Sequence, residues 1–176
     1  MKRLAISLGL VGLAACSVVL PEYRDTDVRM TSLAAFDADA YAGRWEEAAR
    51  FPVPFQSDCV ATAATYGPPI DGVVSVENTC LTLDGTAERI TGTAEVVGPG
   101  RLKVRLKGVP FAADYWVLWA DDSYQTAVVG VPSGRAGWIL SRELPIRDDK
   151  LKAALQVLEF NGYDTSALVF GAEGAP

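Results

Sequence analysis

The sequence predicts an all-β domain: an eight-stranded antiparallel up-and-down β-barrel with one C-terminal α-helix packed outside it. Short segments of β-branched and aromatic residues alternate with turns rich in Gly, Pro and Asp, which is typical of a β-sandwich or an up-and-down barrel. Within these segments apolar residues recur at every second position, so each strand has one buried face. A single helix cannot cover a flat eight-stranded sheet but fits the outside of a closed barrel, which favours the barrel.

The predicted strands follow one another as hairpins. They cover residues 45–51, 59–66, 73–82, 89–97, 101–107, 115–120, 126–131 and 137–142. The helix is predicted over residues 148–160, where apolar residues fall at helical spacing and Asn161-Gly162 suits the C-terminal end. Residues 167–170 are expected to add a last short strand beside the first.

The first fifteen residues have the features of a lipoprotein signal peptide. Lys2 and Arg3 precede a short apolar stretch, and Leu13-Ala14-Ala15-Cys16 resembles a bacterial lipoprotein cleavage box. Cys16 is therefore predicted to be acylated and to become the mature N-terminus; an ordinary signal peptide with a chance Cys is the alternative. Ser17 follows in place of the Asp typical of inner-membrane retention. We therefore expect anchoring to the outer membrane of a Gram-negative bacterium, facing the periplasm.

These features divide the chain into four parts. Residues 1–15 are predicted as the signal peptide, residues 16–35 as a lipid-anchored tether, residues 36–171 as the folded domain and residues 172–176 as a C-terminal tail. The net charge is −6, and loss of the two signal-peptide cations would change it to −8. An acidic chain does not suit a nucleic-acid phosphate backbone, so no nucleic-acid partner is expected.

The residue counts restrict the chemistry. The chain has no His, which excludes His-dependent nucleophile arrangements and His-ligated zinc or haem sites. Asp and Glu are plentiful, so a carboxylate pair could still form in the folded chain, but their spacing does not indicate one. The sequence therefore gives no catalytic residue, no metal site and no cofactor.

Two cysteines, Cys59 and Cys80, remain after the anchor and flank a predicted hairpin. Folding the hairpin about its turn brings them nearly opposite one another, so a disulfide is predicted, as expected in an oxidising compartment. Two free thiols with a redox role are the alternative.

Alternation also predicts which side chains face the interior. Leu102, Val104 and Leu106 form an apolar face opposite basic residues, which are interpreted as a solvated outer face rather than as a contact for anionic lipids. Residues 90, 92, 94 and 96 form an inner face of small side chains, which would leave room inside the barrel.

Four ordered motifs carry a resemblance to a known family. They are Gly43-Arg44-Trp45, the stretch from Tyr115 to Pro132, Trp138-Ile139-Leu140-Ser141-Arg142, and Asn161-Gly162-Tyr163-Asp164. Together they resemble the lipocalin family, in particular its bacterial outer-membrane lipoprotein branch, which is similar to apolipoprotein D. The resemblance implies a cup-shaped barrel whose floor is closed by Gly43, Trp45 and Arg142.

The resemblance also implies a carrier rather than an enzyme. Its ligand would be a fatty acid or a lysophospholipid. Its second partner would be the membrane, which it would contact through acylated Cys16. A homodimer is left open. The predicted ligand-binding residues face inward on their strands: Ala64, Val76, Asn78, Ile90, Val104, Tyr115, Val117, Trp119, Trp138 and Leu140. Two alternatives remain: an enzyme acting on a bound hydrophobic substrate, and a periplasmic interaction or inhibitor barrel.

Overall fold

The strands close into a barrel in a computed structural model, which describes residues 21–171. The eight barrel strands are β1 (Gly43–Arg50), β2 (Cys59–Tyr66), β3 (Val73–Thr82), β4 (Ala87–Gly98), β5 (Arg101–Leu106), β6 (Ala113–Ala120), β7 (Thr126–Gly130) and β8 (Gly137–Ser141). Each pairs antiparallel with the next, and β1 pairs with both β8 and β2, which closes the wall. The predicted up-and-down barrel is confirmed. The predicted signal peptide, Cys16 and the C-terminal tail lie outside the described residues.

Two elements follow the barrel. The helix α2 (Asp148–Phe160) has the predicted bounds and packs against β7 and β6. Strand β9 (Val169–Phe170) pairs with Ala49 and Arg50 at the end of β1. It takes this edge because β1 pairs with β2 only from Gly43 to Glu46. The wall is therefore continuous at one end of β1 and divides at the other.

The described part of the chain also has short helices that the alternation did not predict. The helix α1 (Ala38–Tyr41) begins after Asp37, whose carboxylate accepts hydrogen bonds from the backbone N–H groups of Asp39 and Ala40. Turns of 3-10 helix occur at Pro54–Gln56 and Thr165–Ala167. Helix α1 places Tyr41 beneath the barrel, where the side chain is buried.

The N-terminal strap, residues 21–36, packs along the barrel. The backbone N–H groups of Tyr23, Asp25 and Leu33 donate to the carbonyl oxygens of Gly134, Gly162 and Val117, at 2.8 Å in each case. Arg24 and Met30 in the strap are buried. Residues 21–35 of the predicted lipid-anchored tether therefore lie against the folded domain and exchange backbone hydrogen bonds with it.

Two apolar clusters divide the core. The outer cluster lies between α2, the strap and the outer faces of β1, β6, β7 and β8, and it includes Ile139, Leu151 and Leu158. The inner cluster fills one end of the barrel around Trp45 and Tyr66. We call this filled end the floor and the opposite end the mouth.

Cys59 and Cys80 form the predicted disulfide, with 5.4 Å between their Cα atoms. Because β2 ends its pairing with β3 at Cys59↔Thr82, the bridge lies at the mouth end of these strands. Within residues 21–171, no helix is long and apolar enough to cross a membrane.

Candidate functional site

The floor is built around Trp45, whose side chain is fully buried. The indole N–H donates to the carbonyl oxygen of Tyr41 at 2.8 Å. The Arg142 guanidinium carbon lies 3.7 Å from the centroid of the Trp45 ring, in cation–π contact. Gly43 has a φ of +100°, and a Cβ there would lie only 3.1 Å from Nη1 of Arg142. Gly43 therefore allows the guanidinium to reach the indole.

Arg142 also ties three chain segments together. Its guanidinium donates to the carbonyl oxygens of Arg44 at 2.7 Å, Ala42 at 2.8 Å and Tyr124 at 3.1 Å. These carbonyl oxygens belong to the start of β1, the end of α1 and the turn between β6 and β7. Arg142 thus closes the floor from outside and faces away from the barrel interior.

Three predicted ligand-binding residues lie deep in the inner cluster. Val76, Val117 and Leu140 are at most 5% exposed and pack with Trp45 and Tyr66. Their side chains form the base on which a ligand would rest. At this depth the interior is filled by protein atoms.

Six further predicted residues lie above this base and keep part of their surface accessible. The side chains of Tyr115, Trp138, Val104 and Ala64 pack against the inner cluster, and the strand register places Asn78 and Ile90 beside Ala64 on the same face. Each is only partly buried although it faces into the barrel. Their exposed surface therefore lines open space inside the wall.

Trp119 lies on the other side of the wall. Its side chain packs against the outer cluster and lines a groove beside α2 with Val157 and Phe160. The strand pairing shifts between Val117 and Trp119, so a β-bulge reverses the alternation that would place both on one face. The prediction that Trp119 faces a ligand is therefore wrong.

Gly92 in β4 has a structural role that the alternation did not predict. A Cβ at Gly92 would lie 2.2 Å from the backbone oxygen of Arg105 on β5. Gly92 thus permits the close approach of two strands. Ala94 is fully buried in the inner cluster.

Three tyrosine hydroxyls meet at the inner cluster. The Tyr66 hydroxyl donates to the Tyr115 hydroxyl at 2.8 Å, and the Tyr115 and Tyr41 hydroxyls are also 2.8 Å apart. Three O–H groups share these two hydrogen bonds, so one proton is left over at Tyr115 or Tyr41. Of the two residues only Tyr115 keeps part of its surface accessible, so a proton at Tyr115 can be donated to a polar group of a ligand.

Burial keeps these hydroxyls protonated. Desolvation raises the pKa of Tyr66 to about 12 and raises those of Tyr41 and Tyr115 well above their usual value. The cluster is therefore uncharged at neutral pH, as an apolar interior requires.

A buried ion pair lies nearer the mouth. The Arg50 guanidinium donates to the Glu47 carboxylate at 2.8 Å, and both side chains are at most 11% exposed. The Gln56 amide donates to the other Glu47 oxygen at 2.9 Å, and the Trp138 indole N–H donates to the Gln56 carbonyl oxygen at 3.2 Å. Four side chains thus form one polar network that contains one positive and one negative charge.

The sequence-based site omits Glu47 and Gln56. Alternation from Trp45 places Glu47 on the inner face, and the pairing of Glu47 with Leu140 agrees with this. A bulge between Glu47 and Ala49 then turns Arg50 to the same side, opposite Trp138. Gln56 lies in a loop, where no periodic pattern could have identified it.

A cleft of about 670 Å³ lies where β1 and β2 separate. Its lining includes Glu47 and Thr62, which face inward, and Ala61 and Leu81 on the outer surface. The Thr62 hydroxyl is buried and has no hydrogen-bond partner. The cleft therefore interrupts the barrel wall beside the ion pair.

The described residues, 21–171, contain no group of three or more His, Cys, Asp and Glu side chains that could hold a metal ion. The site built from them is an apolar space with an uncharged hydroxyl cluster below and an ion pair above. Such an arrangement suits binding of an amphiphile by shape, apolar contact and a few polar groups.

Known proteins resemble this chain in sequence and in fold. A family model described as a lipocalin-like domain matches residues 36–173. Temperature-induced lipocalin-1 of Arabidopsis thaliana is 35% identical over 150 residues, which cover 79% of this chain and 80% of that protein. Outer membrane lipoprotein Blc of Escherichia coli (strain K12) is 36% identical over 139 residues, covering 77% and 78%.

The solved structure of insecticyanin from the tobacco hornworm Manduca sexta has the same fold, with a TM-score of 0.66 at 22% identity over 86% of each chain. The family model spans most of the chain, and the two relatives exceed a third in identity over more than three quarters of it. The chain therefore belongs to the lipocalin family.

Proposed function

We propose that this protein binds one small hydrophobic amphiphile, a lysophospholipid or a fatty acid, inside the barrel. The observation that supports this best is the set of inward-facing side chains above the base that remain partly exposed inside the barrel. An acyl chain covering this surface gains about 0.8 kcal/mol per buried CH₂ before the costs of binding. Membership of the lipocalin family supports the same function.

The ion pair favours a lysophospholipid over a fatty acid. Arg50 is already neutralised by Glu47, so the network offers no net positive charge to a free carboxylate. A zwitterionic head group carries both signs and can contact both members of the pair. The Tyr115 hydroxyl, when it carries the spare proton, provides one further donor deeper in the barrel.

We also propose that the protein acts as a carrier or store at the outer membrane, anchored through acylated Cys16 and facing the periplasm. The cleavage-box motif ending at Cys16 supports this location. The name of the Escherichia coli relative, an outer membrane lipoprotein, supports it as well. Labelling of the full chain with an acyl analogue in a Gram-negative host tests it, and Cys16→Ser should abolish the label.

Filling the interior tests the binding site. Ile90→Trp places a large ring on the inner face of β4, whereas Arg89→Trp places the same ring on the exposed outer face. We expect Ile90→Trp to weaken binding of a fluorescent lysophospholipid by about tenfold or more, because the acyl chain loses contact area. Arg89→Trp should bind as the unchanged chain does. Equal affinity of both variants would refute the interior site.

Removing one charge tests the choice of head group. Glu47→Gln leaves Arg50 without a counter-charge and should raise affinity for palmitate relative to lysophosphatidylcholine by about fivefold or more. Glu46→Gln, at the neighbouring position paired with exposed Arg44, is the matched control. If the ratio of the two affinities is the same in both variants, the ion pair does not select the ligand.

A further inference from the structure

The mouth of the barrel carries an exposed apolar rim. Three of the four loops at this end each present one large apolar side chain to solvent: Phe55 is 73% exposed, Leu83 is 87% exposed and Phe111 is 65% exposed. These residues follow β1, β3 and β5, the strands that run from the floor to the mouth. We call Phe55, Leu83 and Phe111 the apolar rim.

Hydrogen bonds fix the turns that present two of these side chains, Leu83 and Phe55. Leu83 lies in a tight turn in which the Asp84 carboxylate accepts hydrogen bonds from the Thr82 hydroxyl at 2.6 Å and the Thr86 backbone N–H at 2.9 Å. Phe55 lies in the 3-10 turn Pro54–Gln56, which Gln56 fixes to the ion pair through Glu47. Both exposed side chains therefore lie in turns that hydrogen bonds hold in place.

The N-terminal strap begins at the same end. The Tyr23 hydroxyl donates to the carbonyl oxygen of Pro52 at 2.8 Å, and Glu22 pairs with Arg135 at 3.1 Å. Pro52 and Arg135 lie in the first and fourth mouth loops. Cys16 precedes Pro21 by five residues, so a fully extended chain separates them by at most about 18 Å. An anchor at Cys16 would therefore hold the mouth near the membrane surface.

Charges near the rim do not explain binding to an anionic surface. Exposed Asp58 and Asp84 lie in the same loops as Phe55 and Leu83, exposed Lys107 lies in the loop of Phe111, and Arg135 is paired with Glu22, so these loops carry no net positive charge. We therefore expect a contact made by this end to be mainly apolar and to depend only weakly on salt.

We propose that the apolar rim docks the mouth onto a phospholipid bilayer, so that a ligand moves between the membrane and the barrel without crossing water. The three side chains surround an opening, so a rigid protein partner would meet a ring with no packed centre, unlike a stable interface. Fluid acyl chains can fill the centre. The docking follows from the rim and the strap, whereas the movement of ligand rests on the proposed function.

Depth quenching in the full anchored chain tests the docking. An environment-sensitive fluorescent amino acid is placed at Leu83 or at Ile70, which is 71% exposed in the turn between β2 and β3 at the floor. The protein is reconstituted into phosphatidylethanolamine–phosphatidylglycerol vesicles that contain a nitroxide-labelled lipid. We expect quenching at residue 83 to exceed quenching at residue 70 by about threefold or more, at low and high salt. Equal quenching at the two positions would overturn the proposal.

Transfer kinetics test the consequence for the ligand. The triple variant Phe55→Ser, Leu83→Ser, Phe111→Ser should transfer a fluorescent lysophospholipid to vesicles about tenfold more slowly, with unchanged equilibrium affinity. Ile70→Ser should transfer it at the unchanged rate.

If no variant binds the lipid, the proposed function fails while quenching still decides the docking. Concentration-dependent dimerisation that is lost in the triple variant, without quenching at residue 83, would show that the rim joins two copies of the chain and would overturn docking.

Discussion

At the scale of single residues, Arg142 stabilises the floor through contacts that only a guanidinium can make. Arg142→Lys keeps the charge but loses the planar contact with Trp45 and most of the hydrogen bonds to backbone carbonyl oxygens. We expect the free energy of unfolding to fall by about 2–3 kcal/mol in urea denaturation. Ligand affinity of the folded variant should be unchanged, because Arg142 faces away from the interior.

Arg101 provides the matched control for this substitution. Its guanidinium carbon lies 4.2 Å from the centroid of the Trp116 ring, at an exposed position. Arg101→Lys should lower the free energy of unfolding by less than about 1 kcal/mol, because solvent weakens an exposed cation–π contact. Similar losses in the two variants would show that the Arg142 hydrogen bonds contribute nothing to the floor.

The tyrosine cluster makes stability depend on alkaline pH. The Tyr66 pKa is about 12 in the folded protein, against about 10 in an unfolded chain. The folded state therefore retains the proton at pH values where the unfolded state has lost it, so the stability present below pH 10 declines between pH 10 and 12. Tyr66→Phe removes one titrating group, and its free energy of unfolding should decline less steeply over this range. Parallel declines in the two proteins would contradict this cause.

At the scale of elements, β4 and β5 approach closely at one position. Gly92→Ala would force its Cβ against the Arg105 backbone oxygen, 2.2 Å away, whereas a Cβ at Gly98 in the same strand would meet only the Arg101 side chain at 3.8 Å. We expect Gly92→Ala to lower the free energy of unfolding by about 2 kcal/mol or more, and Gly98→Ala to be neutral or slightly stabilising. Thermal and urea unfolding of both variants measure this, and equal effects would exclude the close approach as the cause.

The elements were largely predictable, and their irregularities were not. Period-two alternation predicted the eight barrel strands, and helical spacing predicted α2 with its observed bounds. Alternation failed at Trp119, because a bulge depends on how two strands pair and leaves no mark in one strand alone. The close approach of Gly92 to the backbone of β5 also depends on how the strands pair, so the sequence did not indicate it.

The candidate site was predictable where it depended on alternation within regular strands. Tyr115, Val104 and Ile90 face inward as their periodicity indicated. The network of Glu47, Arg50, Gln56 and Trp138 combines a bulged strand, a loop and a distant strand. Such a combination follows from the closed barrel and could not be derived from local sequence.

At the scale of the whole molecule, the N-terminal strap joins the mouth, the end of α2 and the floor. Buried Arg24 is its central contact: its guanidinium donates to the carbonyl oxygens of Asn161 at 2.7 Å, Pro132 at 3.2 Å and Val28. Ser32 continues the strap to the floor, where its hydroxyl donates to the carbonyl oxygen of Pro99 at 2.8 Å. The strap therefore connects the ends of the barrel and should detach as one unit.

Arg24→Ala tests this unit, because it leaves the buried Asn161 carbonyl oxygen without its donor and should lower the free energy of unfolding by about 2–4 kcal/mol. The backbone N–H groups of Tyr23, Asp25 and Leu33 donate to three different parts of the domain. Hydrogen exchange at these three positions should accelerate together in the variant, ahead of exchange in the barrel strands. Arg29→Ala, at an exposed position of the same strap, is the control and should leave all three rates unchanged. Acceleration at Tyr23 and Asp25 without Leu33 would show that the strap is two independent segments, and that its contact with the floor does not depend on its contact with the mouth.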